Sequence, residues 1–508
     1  MDDLFQLIQS LSKTEKRYFK VNYAKSSASG SNYLRLFDAI NQMATYDENI
    51  LKKKFKGEKL LNNLQKEKAY LYRNILTSMR AYRKDKSSGV RIRELLADAA
   101  FLKERSLYDQ CAQSLKKAKK LGYEYENYTA LLEVLFVERE LLKNLKPRKG
   151  ESQMNTLILE TSNILEALNV QCNYLDLYDN LFFQTLRSNH LRNDESIERL
   201  QEIMDHPLII DEDKAKTFRD QHRLWSIKAM NALLNASPHE AYQYNQKILN
   251  LWQGNKKIRL ENIYIYRNML SNFLSSCLTT RQLDMVPSTL EELKQIPPKN
   301  HHDEGTAFKH IYQAQLSYHT AKGEFEKGKA LVPQIEAGME KHHDSIGTSS
   351  LLTIHGNITI LFFLMEDFDS ALTWGNKIIQ FPKSNTRMDI QRFSRLINLL
   401  LHFELGHTEL LENLIRSTAR YIKGLPTQHE IETSALRFFR KLINTAHSDL
   451  AQLFLEFQED ITRMKMSGKQ QNVFTFSVFD LWVAAKASKR SVTAVYRKRF
   501  SAEVETEV

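Results

Sequence analysis

Ala241, Val286, Gly328, Ala371 and Leu411 each open the same apolar phrase, and they stand 45, 42, 43 and 40 residues apart. The phrase is clearest further upstream, in Tyr108–Leu121, where Cys111, Leu115, Ala118 and Leu121 fall at i, i+4, i+7 and i+10 and so share one face of a helix. Leu95, Ala99 and Leu102 form a second stripe, and the polar turn ERSLYD separates the two. That is an antiparallel helical hairpin. One hairpin cannot bury its own apolar faces, so the pattern demands stacked neighbours of the same kind. From Cys111 to Ala241 is 130 residues, three periods, which predicts two degenerate hairpins between them, around Ser152–Leu165 and Ser196–Met204. About eight hairpins result.

A chain of 508 residues exceeds one ordinary core and must form several domains or an elongated array. Gly 16 and Pro 9 decide for the array, because they leave too few turn formers for a many-stranded fold. The expectation is an all-α protein: an α-solenoid of antiparallel hairpins over 89–426, a basic N-terminal helical domain over 1–88, and a C-terminal helical cap with an acidic tail over 427–508. In the first segment Ser12 and Glu15 have the spacing of a capping box, so a helix starts there. Helices are also expected over 33–43, from Glu48, and over about 60 to 82. At the other end they are expected near 428–444, 446–465 and 474–487, with a frayed tail after them.

The recurring phrase resembles the tetratricopeptide repeat. In that family the second helix of each hairpin carries a small residue at the place of Ala241, Gly328 and Ala371, with Trp favoured where Trp225 stands. Gly323-Glu324-Phe325 and Phe368-Asp369-Ser370-Ala371 repeat its turn, and the period here is longer than the roughly 34 residues of the standard repeat. LSKTEKRYFK, NYLRLFDAI and YDENILKKKFKG look like the N-terminal region of a group of uncharacterised bacterial helical-repeat proteins, a likeness that brings no activity with it. The layout also resembles bacterial regulators that sense peptides through such repeats. The tetratricopeptide resemblance implies a concave groove lined by the first helix of each hairpin. Carried over, its positions are Arg93, Leu96, Ala100 and Lys103, then Arg223, Ser226, Met230 and Leu233, then Asn268, Ser271, Ser275 and Leu278, then His310, Gln313, Ser317 and Thr320. The Lys and Asn set with which some relatives clamp a terminal carboxylate is missing. Arg223, Ser226, Asn268, Ser271, His310 and Gln313 are the candidate partner-binding residues, suited to a peptide or helix of another protein.

Asp2 and Asp3 stand where an export signal would carry bases, the longest apolar run (Ile358–Met365) is too short for a membrane span, and three scattered cysteines suggest no disulfide framework. A cytoplasmic protein without membrane attachment is expected. No phosphate-binding loop, zinc Cys pair or HExxH occurs, since Thr433 stands where a second His would complete His429-Glu430. The chain is therefore read as a non-enzyme with no cofactor. His301-His302-Asp303-Glu304 and His342-His343-Asp344 lie 41 residues apart and could bring imidazoles and carboxylates to one edge, but such residues are also ordinary in loops and at helix starts; no metal is assigned. The charge of +11 is concentrated at the N-terminus, where residues 1–88 hold eighteen Lys and Arg against nine Asp and Glu. Lys52, Lys53, Lys54, Lys56 and Lys59 form a candidate nucleic-acid patch, against the commoner reading of a solvated helix surface. The leading functional expectation is a protein–protein interaction adaptor or regulator; the alternative is a nucleic-acid-binding regulator using the N-terminal domain.

Overall fold

The computed structural model describes residues 2–26, 30–82, 87–145, 150–188, 194–235, 237–382, 386–425, 428–466 and 473–505. Among them every regular element is helical. Helices α1 (Asp3–Ser10), α2 (Lys13–Ser26), α3 (Gly30–Asn41), α4 (Glu48–Lys54) and α5 (Leu64–Tyr82) surround a cluster that draws only on residues between Leu4 and Tyr82. Phe19, Phe37, Ile40, Leu51, Phe55, Leu71 and Ile75 are fully buried there. The capping box forms: the Glu15 amide donates to Ser12 Oγ at 3.2 Å, and the Ser12 amide donates to Glu15 Oε2 at 2.9 Å. Helix α1 was not expected from the sequence. Asp2 caps it by accepting from the Phe5 amide at 3.0 Å, and Leu4 and Ile8, one turn apart, bury its inner face.

Hairpins begin with α6 (Ser88–Glu104) and α7 (Tyr108–Glu124). Their turn closes by a bond from the Leu107 amide to the Leu102 carbonyl at 3.0 Å, with Ser106 in the left-handed region at φ 59°. This Schellman closure satisfies carbonyls that the end of a helix leaves open. Next come α8 (Tyr128–Leu145), α9 (Glu151–Ser188), α10 (Asp194–Met204), α11 (Pro207–Ile210), α12 (Phe218–Leu234), α13 (Pro238–Gly254), α14 (Lys256–Glu261), α15 (Ile263–Thr279) and α16 (Val286–Lys294). Then follow α17 (His301–Ala321), α18 (Phe325–Lys341), α19 (Thr348–Leu364), α20 (Phe368–Ile379), α21 (Met388–Glu404) and α22 (Thr408–Lys423). Positive φ recurs at Arg281, Gly323, Glu366 and Gly406, 42, 43 and 40 residues apart, each in the turn between two paired helices. Cys111, Ala241, Ala371 and Leu411 are each the fourth residue of a second helix and at most 1% exposed. First helices also touch one another in succession, α15 on α17, α17 on α19, and α19 on α21.

Two stretches differ from the sequence expectation. Residues around 152–165 do not form a hairpin of their own: they belong to α9, a single helix of 38 residues that packs against α8, α10 and α12, whereas 196–204 lie in α10, which packs on the second half of α9. The range 151–188 holds no Gly or Pro, so nothing in it breaks the helix. At the other end α23 (Glu430–Leu442), α24 (Leu450–Met466) and α25 (Val473–Ala487) are followed by α26 (Val492–Glu505), which takes up most of the expected tail; 506–508 lie outside the described residues. Helices α25 and α26 cross the ends of the last first-helices. Trp482 Nε1 donates to Glu404 Oε1 at 2.5 Å, the Val492 amide to Glu366 Oε1 at 3.0 Å, and the Tyr496 hydroxyl to the Thr320 carbonyl at 3.0 Å. Carbonyls and carboxylates at those helix ends thereby gain donors. Among the described residues no helix is long and apolar enough to cross a membrane.

Candidate functional site

A cleft of about 470 Å³ opens between α9, α12 and α15, with Trp252 of α13 behind it. Helix α12 is anchored so that its first turns form one wall. Glu126, from the α7–α8 turn, accepts the Phe218 amide on Oε1 at 2.8 Å and the Arg219 amide on Oε2 at 3.1 Å. Thr217 and Asp220 complete a capping box, the Asp220 amide donating to Thr217 Oγ1 at 3.1 Å. The first amides of α12 are thus already occupied, and the helix end itself offers no free anion site. Helix α9 supplies Leu168, Gln171, Cys172, Leu175 and Tyr178, and α15 supplies Ile265, Asn268 and Met269.

Cations outnumber acids at the cleft. Arg219 and Arg223 border it without an ion pair, and the Arg223 guanidinium lies 4.5 Å from the centroid of the Tyr178 ring, a cation–π contact that holds it at the wall. Burial, reinforced by Arg223 and Arg219, pushes His222 down to about 4, so the imidazole is neutral near pH 7; its Nε2 lies 3.4 Å from Met269 Sδ. Asp220 is the one acid that borders the cleft, and burial raises its pKa against the opposing bonds from Thr217. Three buried polar atoms of lining residues have no protein partner: Gln171 Nε2, Asp220 Oδ1 and Trp252 Nε1. Trp252 is only 2% exposed, packed edge-on against Phe218 and His222 at 4.9 and 5.5 Å.

Of the six expected groove residues, Arg223 and Asn268 border this cleft. Ser226 and Ser271 are half-buried; Ser226 Oγ donates to the His222 carbonyl at 2.7 Å. Gln313 Nε2 donates to the Ser350 carbonyl at 3.4 Å, which ties α17 to α19. His310 is half-buried, and its Nδ1 has no protein partner. In the N-terminal region Lys52, Lys53, Lys54, Lys56 and Lys59 are all exposed. Lys52 pairs with Glu48 at 2.8 Å, and the other four make no ion pair. Of the histidine pairs, the His301 side chain lies outside the described residues, His302 is exposed, His342 is buried beside the Phe308 ring, and His343 pairs with Asp344. Among the described residues no group of three or more His, Cys, Asp and Glu is arranged to hold a metal ion.

The sequence did not point to Gln171, Cys172, Arg219, Asp220 or Trp252. No motif or spacing marks them; in the structure Leu175 of α9, which borders the cleft, leaves 39% of its surface in water. No protein-family model matches the chain, and no curated protein matches it.

Proposed function

We propose that this chain is a partner-binding adaptor or regulator, an α-solenoid resembling tetratricopeptide repeats, and that the cleft between α9, α12 and α15 is where a peptide or helix of another protein docks. The solenoid part of this reading is supported by the contact of successive first helices and by left-handed turn residues that return with the sequence period. Its functional part is carried by one observation: Arg223 and Asn268, 45 residues apart and expected on the groove, border one cleft with apolar walls and unpaired polar atoms. Clefts of several hundred Å³ with a few convergent polar groups are the usual form of a binding site. The test is affinity capture with the intact protein and with Arg223→Glu/Asn268→Ala, each with and without nuclease. A protein partner that survives nuclease and is lost by the double variant is expected; capture unaffected by the variant sinks the cleft assignment.

A second reading rests on Lys53, Lys54, Lys56 and Lys59, four exposed cations without counter-charges on adjoining turns. If they contact phosphates, affinity for a mixed-sequence duplex falls steeply as salt rises from about 50 to 200 mM, because each contact releases counterions. Changing Lys52, Lys53, Lys54 and Lys56 to Gln is then expected to weaken binding and flatten the salt slope. An anisotropy titration in which wild type and variant coincide removes the nucleic-acid reading.

A further inference from the structure

We infer that the cleft selects an acidic residue beside a bulky apolar one, presented by a peptide segment of the partner; this rests on the partner-binding reading above. Two guanidiniums, Arg219 and Arg223, stand one helical turn apart at the cleft with no carboxylate paired to either. Glu126 and Asp220, the acids bonded to the start of α12, make no ion pair with them. Glu126 is spent on the α12 amides, and Asp220 is 3% exposed with one oxygen engaged by the Thr217 amide at 3.3 Å. Of the lining residues, Gln171 Nε2 and Trp252 Nε1 are buried donors without acceptors, and Asp220 Oδ1 is a buried acceptor without a donor. Two unpaired guanidiniums at the cleft call for an anionic oxygen ligand, and guanidinium with carboxylate is the strongest such match.

The rest of the lining excludes a bare hydrated anion. Leu175 on α9 and Ile265 on α15, 39% and 44% exposed, face the opening from two helices, with Leu168 and Met269 further along the walls. An inorganic ion would leave that surface wet, whereas Leu, Phe or Trp beside an acid would cover it while the carboxylate reaches the arginines. A basic segment would meet two unpaired cations and is rejected by like charge.

The experiment selects a phage-displayed library of random 12-residue peptides on the full-length protein and on Arg219→Glu/Arg223→Glu. Wild-type selection is expected to enrich Asp or Glu within one turn of Leu, Ile, Phe or Trp, and the charge-reversed variant to lose that preference. A labelled peptide from the wild-type pool should bind at least tenfold more weakly to Arg219→Gln/Arg223→Gln and to Ile265→Asp, with the helical circular dichroism unchanged, and its own Glu→Gln form should lose as much on wild type. Cys172, the exposed thiol at the cleft, reports location: bound peptide should slow its reaction with a maleimide, while buried Cys111 and Cys277 stay silent. Selection without acidic enrichment, affinity indifferent to the arginine variants, or no protection of Cys172 overturns the inference. Displacement of the peptide by octanoate at similar concentration would assign the site to a free carboxylic acid and overturn the peptide source. Should captured partners persist with the charge-reversed variant, the acidic-peptide chemistry falls together with the cleft assignment while the adaptor reading of the chain stands; should wild type capture no partner, the adaptor reading falls first.

Discussion

At the scale of single residues, small side chains decide where helices can touch. A Cβ added at Gly338 would lie 2.0 Å from Phe308 Cε2, and that ring cannot retreat because the Tyr312 ring is 4.6 Å away and the His342 ring 5.6 Å. Gly338→Ala is therefore expected to destabilise by about 1 to 3 kcal/mol. Gly328→Ala meets Leu361 Cδ1 at 3.1 Å, the end of a flexible side chain, and should cost less. Urea unfolding of both variants checks the ranking, and equal midpoints would mean that the Phe308 ring yields to the added methyl at no cost. Residues whose role is local were legible in the sequence. The Ser12–Glu15 capping box and the buried Ala241 and Ala371 needed only spacing within one helix or one hairpin. Trp252 Nε1 and Gln171 Nε2 were not legible, because a missing partner is a property of packing between helices some 80 residues apart in sequence.

At the scale of elements, periodicity read hairpins well where a turn residue punctuates them. Gly323 and Gly406 mark turns in the sequence; Ser106, Glu126 and Glu366 take the same left-handed conformation without advertising it. Helix α9 shows the converse failure. Its length follows from an uninterrupted run of helix-compatible residues, yet a period counted from Cys111 and Ala241 places hairpins at 152–165 and 196–204, because counting assumes that every repeat has a turn. The long helix also explains why a cleft arises here. Packed on α8 through its first half and on α12 through its second, α9 leaves Leu165 and Leu175 partly in water, and Leu175 borders the cleft. Arg223 and Asn268 could be placed on first helices by register alone; their meeting across from α9 could not. Glu126 is equally remote from α12 in sequence, and its carboxylate fixes the first turn, which carries Arg219 one turn before Arg223.

For the whole molecule, the first helices share a titration property that ties stability to pH. His222 on α12, His310 on α17 and His355 on α19 are each pushed down to about 4, in every case chiefly by burial. Cations add to the effect, Arg223 and Arg219 at His222, Lys309 and Arg267 at His310, and Lys377 at His355, where Glu336 opposes it. The ordinary value of 6.5 applies in the unfolded chain. Between these values the unfolded state binds protons that the folded state refuses, so unfolding is favoured as pH falls and stability rises as pH rises. The contribution is fully present above about pH 6.5 and is lost progressively toward pH 4. Over pH 6.5 to 5, above the range where most carboxylates titrate, each histidine is expected to cost about 1 to 2 kcal/mol. Urea midpoints at pH 7.5, 6.5, 5.75 and 5 should therefore decline, and the decline should be shallower in His222→Gln/His310→Gln/His355→Gln. Parallel curves for wild type and the triple variant would show that these imidazoles reach solvent when protonated. Because His222 borders the cleft and the other two lie on first helices further along the chain, single variants separate the contributions: a flattened curve from His222→Gln alone would place the acid-sensitive step at the α9–α12–α15 cleft rather than along the later hairpins.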